Sequence, residues 1–199
     1  KGINAVYKMA KVIEAIRTLE PTHHPVLGDG ILELTDIKSA PYPGASVVPE
    51  YCRATYDRRL LVGETKESVL APIQELLDKL MAEDPQLKAK VSYAVGKEQC
   101  YTGNEITGER FFPGWLYDEK DEFVQDVKKE LEGMGYTPEI TQYNFCTNGS
   151  HYAGEAGIKT FGLGPSKENL AHTVNEYIEI DQLTKVTDCY YGVMKALLK

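Results

Sequence analysis

The sequence predicts an α/β chain in two parts: a small two-layer unit over residues 1–105, then part of a larger α/β domain over 106–199. Three observations carry this reading. Apolar periodicity in the first part runs helix, strand, strand, helix, strand, which one leading strand would complete into a ferredoxin-like βαββαβ sandwich. A polar, glycine-containing stretch from about Thr102 to Arg110 then reads as a linker. The remaining residues offer two helices and two strands, too few to cover both faces of their own sheet.

Each element has a local reason. Ile3, Val6, Tyr7, Ala10, Ile13, Ile16 and Leu19 recur at helical spacing, and Pro21 ends the pattern. Thr22-His23-His24-Pro25 reads as a turn; adjacent side chains diverge, which argues against the two histidines sharing a metal. Residues 30–38 read as a strand and 46–60 as a longer one. In the second, Glu50, Cys52, Ala54 and Tyr56 alternate with Tyr51, Arg53, Thr55, Asp57 and Arg59, predicting one face under helices and one polar face.

Gly63-Glu64-Thr65 supplies a turn and cap for a helix over 66–82, built on Val69, Ile73, Leu76, Leu77 and Leu80. Val91, Tyr93 and Val95 alternate as a strand over 88–101. The aromatic segment Phe111–Tyr117 reads as core packing. A helix follows at 119–134, ended by Gly133 and Gly135, then strands at 139–146 and 158–163. The last helix spans 181–198, with Asp181 as its N-cap.

Composition narrows function. Forty-two per cent of the residues are hydrophobic and 10% aromatic, enough for real cores. A net charge of −8 argues against nucleic acid or an anionic membrane as partner. No apolar run approaches the roughly 20 residues of a spanning helix. The cysteines at 52, 100, 146 and 189 form no C-x-x-C pair and suit a reducing cytoplasm. The chain opens at Lys1, without Met and directly in a helical pattern, which predicts a piece of a longer polypeptide.

The most informative segment is Lys159–Glu176. A short apolar run stops at Gly164-Pro165, and His172 follows in a loop. Open α/β sheets place site residues in this way, beyond the carboxyl ends of their strands. His172 is therefore a candidate metal ligand, although one histidine does not make a site. Nothing resembles a phosphate-binding loop, a nucleophile elbow or an H-E-x-x-H helix.

Three segments occur in a telling order: Gly2-Ile3-Asn4-Ala5; Val47-Val48-Pro49 with Asp57-Arg58-Arg59 and Gly63-Glu64-Thr65; and Gly164-Pro165 with Ala171-His172-Thr173-x-Asn175-Glu176. Together they resemble the M20 metallopeptidase and amidohydrolase family, which includes acetylornithine deacetylase, succinyl-diaminopimelate desuccinylase and carboxypeptidase G2. Phe145-Cys146-Thr147-Asn148-Gly149 looks closest to the subgroup of selenium-metabolism-linked hydrolases.

The resemblance implies a ferredoxin-like lid, here without its first strand, which forms a homodimer and interrupts a zinc-dependent catalytic domain. Residues 106–199 would then be the C-terminal part of that domain. It implies two zinc ions per active site in the intact enzyme, with His172 as the one ligand in this chain. It implies a small peptide or N-acyl amino acid substrate, with Arg59 on its carboxylate and Asn148 and Gly149 lining the pocket. The family's H-x-D and Glu-Glu motifs do not occur in this sequence. The general base and other ligands are expected upstream of Lys1, and the chain alone is expected to be inactive. The competing expectation is a non-catalytic dimerisation module; a carbamoyl-amide hydrolase of the same architecture ranks third.

Overall fold

A computed structural model describes residues 2–198. The chain folds as two compact units, Lys1–Gly114 and Trp115–Lys199, each with its own core.

The first unit opens on α1 (Ala5–Ile16), whose first turn is closed by Asn4. The Asn4 side-chain oxygen accepts the backbone N–H groups of Val6 at 2.9 Å and Tyr7 at 3.3 Å. Two short strands, β1 (His23–His24) and β2 (Gly28–Asp29), pair across a tight turn. His24 Nδ1 accepts from the N–H groups of Val26 and Leu27, and His23 Nδ1 meets Asp29 at 2.7 Å. Both rings thus hold the turn together.

β3 (Ile31–Ala40) and β4 (Tyr51–Arg59) form an antiparallel ladder, from Ile31 opposite Arg59 to Ala40 opposite Tyr51. One register shift lies between Leu34 and Asp36, where Thr35 is the extra residue and donates its hydroxyl to Thr55 O. β4 starts at Tyr51 rather than at the expected residue 46, because the preceding connection holds Pro41, Pro43 and Pro49, none of which can donate to a ladder.

α2 (Lys66–Glu83) begins with a reciprocal capping box between Thr65 and Ser68. Buried Val12 and Ile16 of α1 meet Leu77 of α2 and Leu87, with Leu32 and Tyr56 of the strands packed against them. The predicted alternation holds, since Cys52 is buried and Tyr51, Arg53, Asp57 and Arg59 are exposed.

The strand expected over 88–101 forms differently. Leu87, Ala89 and Val91 alternate into the core as a strand would, yet residues 88–94 join no ladder. The ladder begins at β5 (Val95–Gln99), which pairs with β6 (Glu105–Glu109). The glycine-containing stretch read as a linker is therefore the turn and return arm of a hairpin. Gly103, at φ 87°, provides the left-handed turn that brings Cys100 N–H to Asn104 O. Phe111 is buried edge-on to Tyr93, as core packing predicts.

In the second unit, α3 (Glu122–Gly133) and α4 (Ile180–Leu197) pack through Val127, Leu131 and Ala196. Gly192 of α4 leaves room for the Met134 side chain, whose Sδ would lie 2.6 Å from a Cβ placed there. α4 is preceded by Glu179, and Asp181 does not cap it but pairs with Lys185 one turn on, at 2.9 Å. Edge-on aromatic contacts run from Trp115 through Tyr117 to Phe123.

The strands expected at 139–146 and 158–163 are not found as strands among the described residues, because neither finds a backbone partner. Side chains hold the second segment instead. The hydroxyls of Tyr117 and Tyr190 donate to Ile158 O and Leu163 O, and Phe161 packs onto the α3–α4 core.

Candidate functional site

The residues singled out from the sequence fall in two places, one in each unit. In the first unit, Arg59 ends β4 on the face away from the helices. Its Nε donates to Asp57 Oδ2 at 3.2 Å, two residues back on the same face, and both side chains are about half exposed. An exposed pair of this kind is worth little, so the guanidinium can exchange Asp57 for an incoming carboxylate at small cost.

The adjacent Arg58 points the other way. It is held by Glu64, whose second oxygen accepts Leu61 N–H at 2.6 Å. Thr22 adds a hydroxyl to the same carboxylate at 3.0 Å. Arg58 and Glu64 are largely shielded from solvent and tie the end of β4 to the start of α2. The strand period thus divides two neighbouring arginines into a structural one and an available one.

In the second unit, Asn148 and Gly149 lead into a π-helical turn, Ser150–Glu155. Asn148 O accepts the N–H groups of His151 and Tyr152, and Thr147 Oγ1 accepts Gly149 N–H at 3.1 Å. Gly149 is buried against Trp115, and a Cβ there would stand 2.7 Å from the indole. Only glycine fits that approach. The Asn148 side chain makes no hydrogen bond among the described residues and remains available.

His172 lies in the loop before α4, exposed, with a left-handed backbone at φ 60°. Its N–H donates to Glu176 Oε2 at 3.1 Å, and Thr173 Oγ1 donates to Leu170 O. Ser166 and Asn175, also left-handed, bracket the same loop. Three non-glycine residues in that region within ten positions are uncommon, and such backbone persists where surrounding bonds enforce it. The imidazole is therefore turned to solvent and not into an apolar interior.

Among the described residues no group of three or more His, Cys, Asp or Glu side chains could hold a metal. His172 does not make a metal centre with its neighbours among the described residues.

Sequence reading passed over other polar groups near these loops. His151 Nδ1 meets Glu155 Oε2 at 2.7 Å, across one turn of the π-helical segment. Glu168 accepts Asn144 N–H at 2.7 Å and joins the two loops, while Tyr143 stacks on Phe145. Burial, and then the nearby Glu168 carboxylate, push the Tyr143 phenol above its usual range. The H-x-x-x-E spacing was visible in the sequence; the Glu168 bridge, across 24 residues, was not.

Comparison with known proteins gives this arrangement its class. Residues 1–85 match the family model of the peptidase dimerisation domain. The chain is 32% identical over 179 residues to the Escherichia coli protein YgeY, covering 88% of this chain and 43% of that one. It is 28% identical to N-formyl-4-amino-5-aminomethyl-2-methylpyrimidine deformylase of Halalkalibacterium halodurans, covering 94% and 44%. It is 25% identical to succinyl-diaminopimelate desuccinylase of Hydrogenovibrio crunogenus, covering 77% and 35%.

In fold it is similar to aminopeptidase PepT from Bacillus cereus, with a TM-score of 0.63 at 19% identity, over 100% of this chain and 46% of the other. The first unit thus carries a ferredoxin-like dimerisation domain of a hydrolase family. The chain belongs to the M20 family and spans less than half the length of these relatives.

Proposed function

We propose that this chain is the lid and the C-terminal part of the catalytic domain of a metal-dependent amide hydrolase. The division falls near residue 105. The protein acts as a homodimer on a small peptide or N-acyl amino acid. The observation that carries this reading is the dimerisation-domain match together with an exposed Arg59 on the helix-free sheet face and a solvent-facing His172.

In this reading Arg59 exchanges Asp57 for the substrate carboxylate, which a planar guanidinium can hold with two parallel hydrogen bonds. Asn148 offers its side-chain amide to the substrate's polar groups, and Gly149 keeps the loop backbone close against Trp115. His172 would donate one imidazole nitrogen to a zinc ion, with the Glu176 bond to its backbone fixing the loop. Zinc held there would polarise the amide carbonyl and lower the pKa of a water. The remaining ligands and the general base lie outside this chain. The free cysteines, and the lack of a helix long and apolar enough to cross a membrane among the described residues, agree with a cytoplasmic setting.

The test uses a protein extended through the reading frame upstream of Lys1, assayed on dipeptides and N-acyl amino acids with chelator and with zinc added back. Hydrolysis should vanish with chelator and return with zinc. His172→Ala should lower kcat/KM by more than about 100-fold, beyond what loss of a group behind the ligands costs. Arg59→Ala should raise KM roughly tenfold to a hundredfold with a smaller change in kcat. The 199-residue chain itself should show no stoichiometric zinc binding and no hydrolysis. No turnover of any of these substrates by the extended protein would leave the dimerisation module as the surviving reading, whereas metal-independent turnover would overturn the zinc role of His172.

A further inference from the structure

Asn148 is followed by glycine, and none of the other asparagines, at 4, 104, 144, 169 and 175, is. An asparagine side chain can close on the next backbone nitrogen, and the neighbour's Cβ is what ordinarily obstructs that approach. Glycine has no Cβ. Asn148 is also exposed, and its side-chain amide makes no hydrogen bond among the described residues. Its carboxamide carbon is therefore open to attack, with water around it to take up what leaves.

The backbone on either side is less free. Gly149 N–H donates to Thr147 Oγ1 at 3.1 Å. Asn148 O accepts from His151 N–H at 3.1 Å and from Tyr152 N–H at 3.2 Å. A carbonyl used by residues three and four ahead belongs to a helical turn. There the side-chain carbon stands to one side of the next nitrogen. Ring closure needs a rotation about the Asn148 Cα–C bond, which pulls the carbonyl off both donors. Gly149 is buried, with the Trp115 indole where a Cβ would stand, and that packing resists the same movement. A chemically weak bond and its restraint thus lie in one loop.

We propose that Asn148 is a site of spontaneous modification, converted to aspartate and isoaspartate through a cyclic imide, and that the turn after it sets the rate. The Gly149 nitrogen loses its proton to water and bonds to Asn148 Cγ. The Cγ–Nδ2 bond breaks and the amide nitrogen leaves as ammonia. Water then opens the five-membered ring. Cleavage between Cγ and the Gly149 nitrogen gives aspartate; cleavage between that nitrogen and the Asn148 carbonyl carbon gives isoaspartate. Water is the only co-reactant, and nothing is oxidised or reduced. Isoaspartate carries its side-chain methylene in the main chain, so the bonds from residue 148 to the turn are lost and Gly149 is displaced from Trp115. The function proposed above would lose its Asn148 amide, but the modification itself does not depend on that function.

The test ages the whole chain at mildly alkaline pH and body temperature, in native buffer and in guanidinium chloride. Residue 148 is followed by peptide mapping with mass spectrometry and by isoaspartyl methyltransferase labelling. Isoaspartate should appear at 148 in both, at least about tenfold more slowly in native buffer, because the folded loop reacts only through local opening. Asn148→Gln should abolish it, since the longer side chain closes its ring far more slowly. Thr147→Val removes the acceptor of Gly149 N–H, and Trp115→Phe loosens the packing. Each should speed the native reaction at least about threefold with the circular dichroism spectrum unchanged. No isoaspartate at 148 in the native chain after several weeks would overturn the site. Equal rates in native buffer and denaturant, which need no variant to fold, would overturn control by the turn.

Discussion

Two kinds of residue stand at the candidate site. Some are there for their shape and others for their chemistry. Gly149 belongs to the first kind: the indole of Trp115 occupies the space a methyl group would need. Gly149→Ala should destabilise the second unit by about 1–3 kcal/mol through overpacking. The measurement is thermal unfolding, with Trp115 fluorescence as a local report. An unchanged melting temperature and spectrum would mean that Gly149 serves some other end. On the proposed function, Asn148 and His172 belong to the second kind; both are exposed to solvent. Arg58 and Arg59 show the same division between neighbours, since one is spent on Glu64 and the other needs only to leave Asp57.

Between elements, the tie from α1 to the end of α2 makes a pH-dependent prediction. Lys8 Nζ donates to Asp84 Oδ2, and Lys11 lies 3.8 Å from the same oxygen. The hydrogen bond from Lys8, reinforced by the Gln86 backbone N–H and the charges of Lys8 and Lys11, holds the Asp84 carboxyl below its usual value. A carboxyl whose folded pKa is depressed contributes stability above its unfolded pKa and loses it as pH falls through the folded one. Lys8→Met should therefore destabilise the first unit at neutral pH. The gap from the unmodified chain should close as pH drops below about 4, the ordinary aspartate range. Denaturant titrations of both chains across that range supply the comparison; a gap that persists unchanged into acid would exclude the Asp84 tie as its cause.

At this scale the helices were readable because each signals itself locally. Thr65 and Gly135 mark ends, and apolar spacing marks faces, whereas the Asn4 cap of α1 emerged only in the structure. The strands were readable only where a partner lay close in sequence. β3 formed where expected and β4 over the later part of its expected span, whereas 139–146 and 158–163 have strand-like composition and no strand partner among the described residues. Strand propensity describes a residue's fit to a pleated surface, and the surface must be supplied by another segment.

For the molecule as a whole, the two cores are made of different residues. Leu77 sits at the centre of the first and Leu131 of the second. Leu77→Ala should cost about 2–5 kcal/mol in the unfolding of residues 1–114 and leave the other unit's transition in place. Leu131→Ala should do the reverse. Hydrogen exchange resolved by segment will separate the two, and equal loss of protection in both units from either substitution would contradict independent cores.

The sequence by itself determined the family resemblance, the helices and the inner and outer faces of β4. All of these are written in short-range spacing and in the order of motifs along the chain. It also set His172 apart, as a lone imidazole after a Gly-Pro break. Tertiary structure decided which of two adjacent arginines is available and that Gly149 is needed for an indole. It also converted a presumed linker into a hairpin. Those outcomes depend on which segments meet in space, and contacts between distant segments leave no periodic trace in the chain.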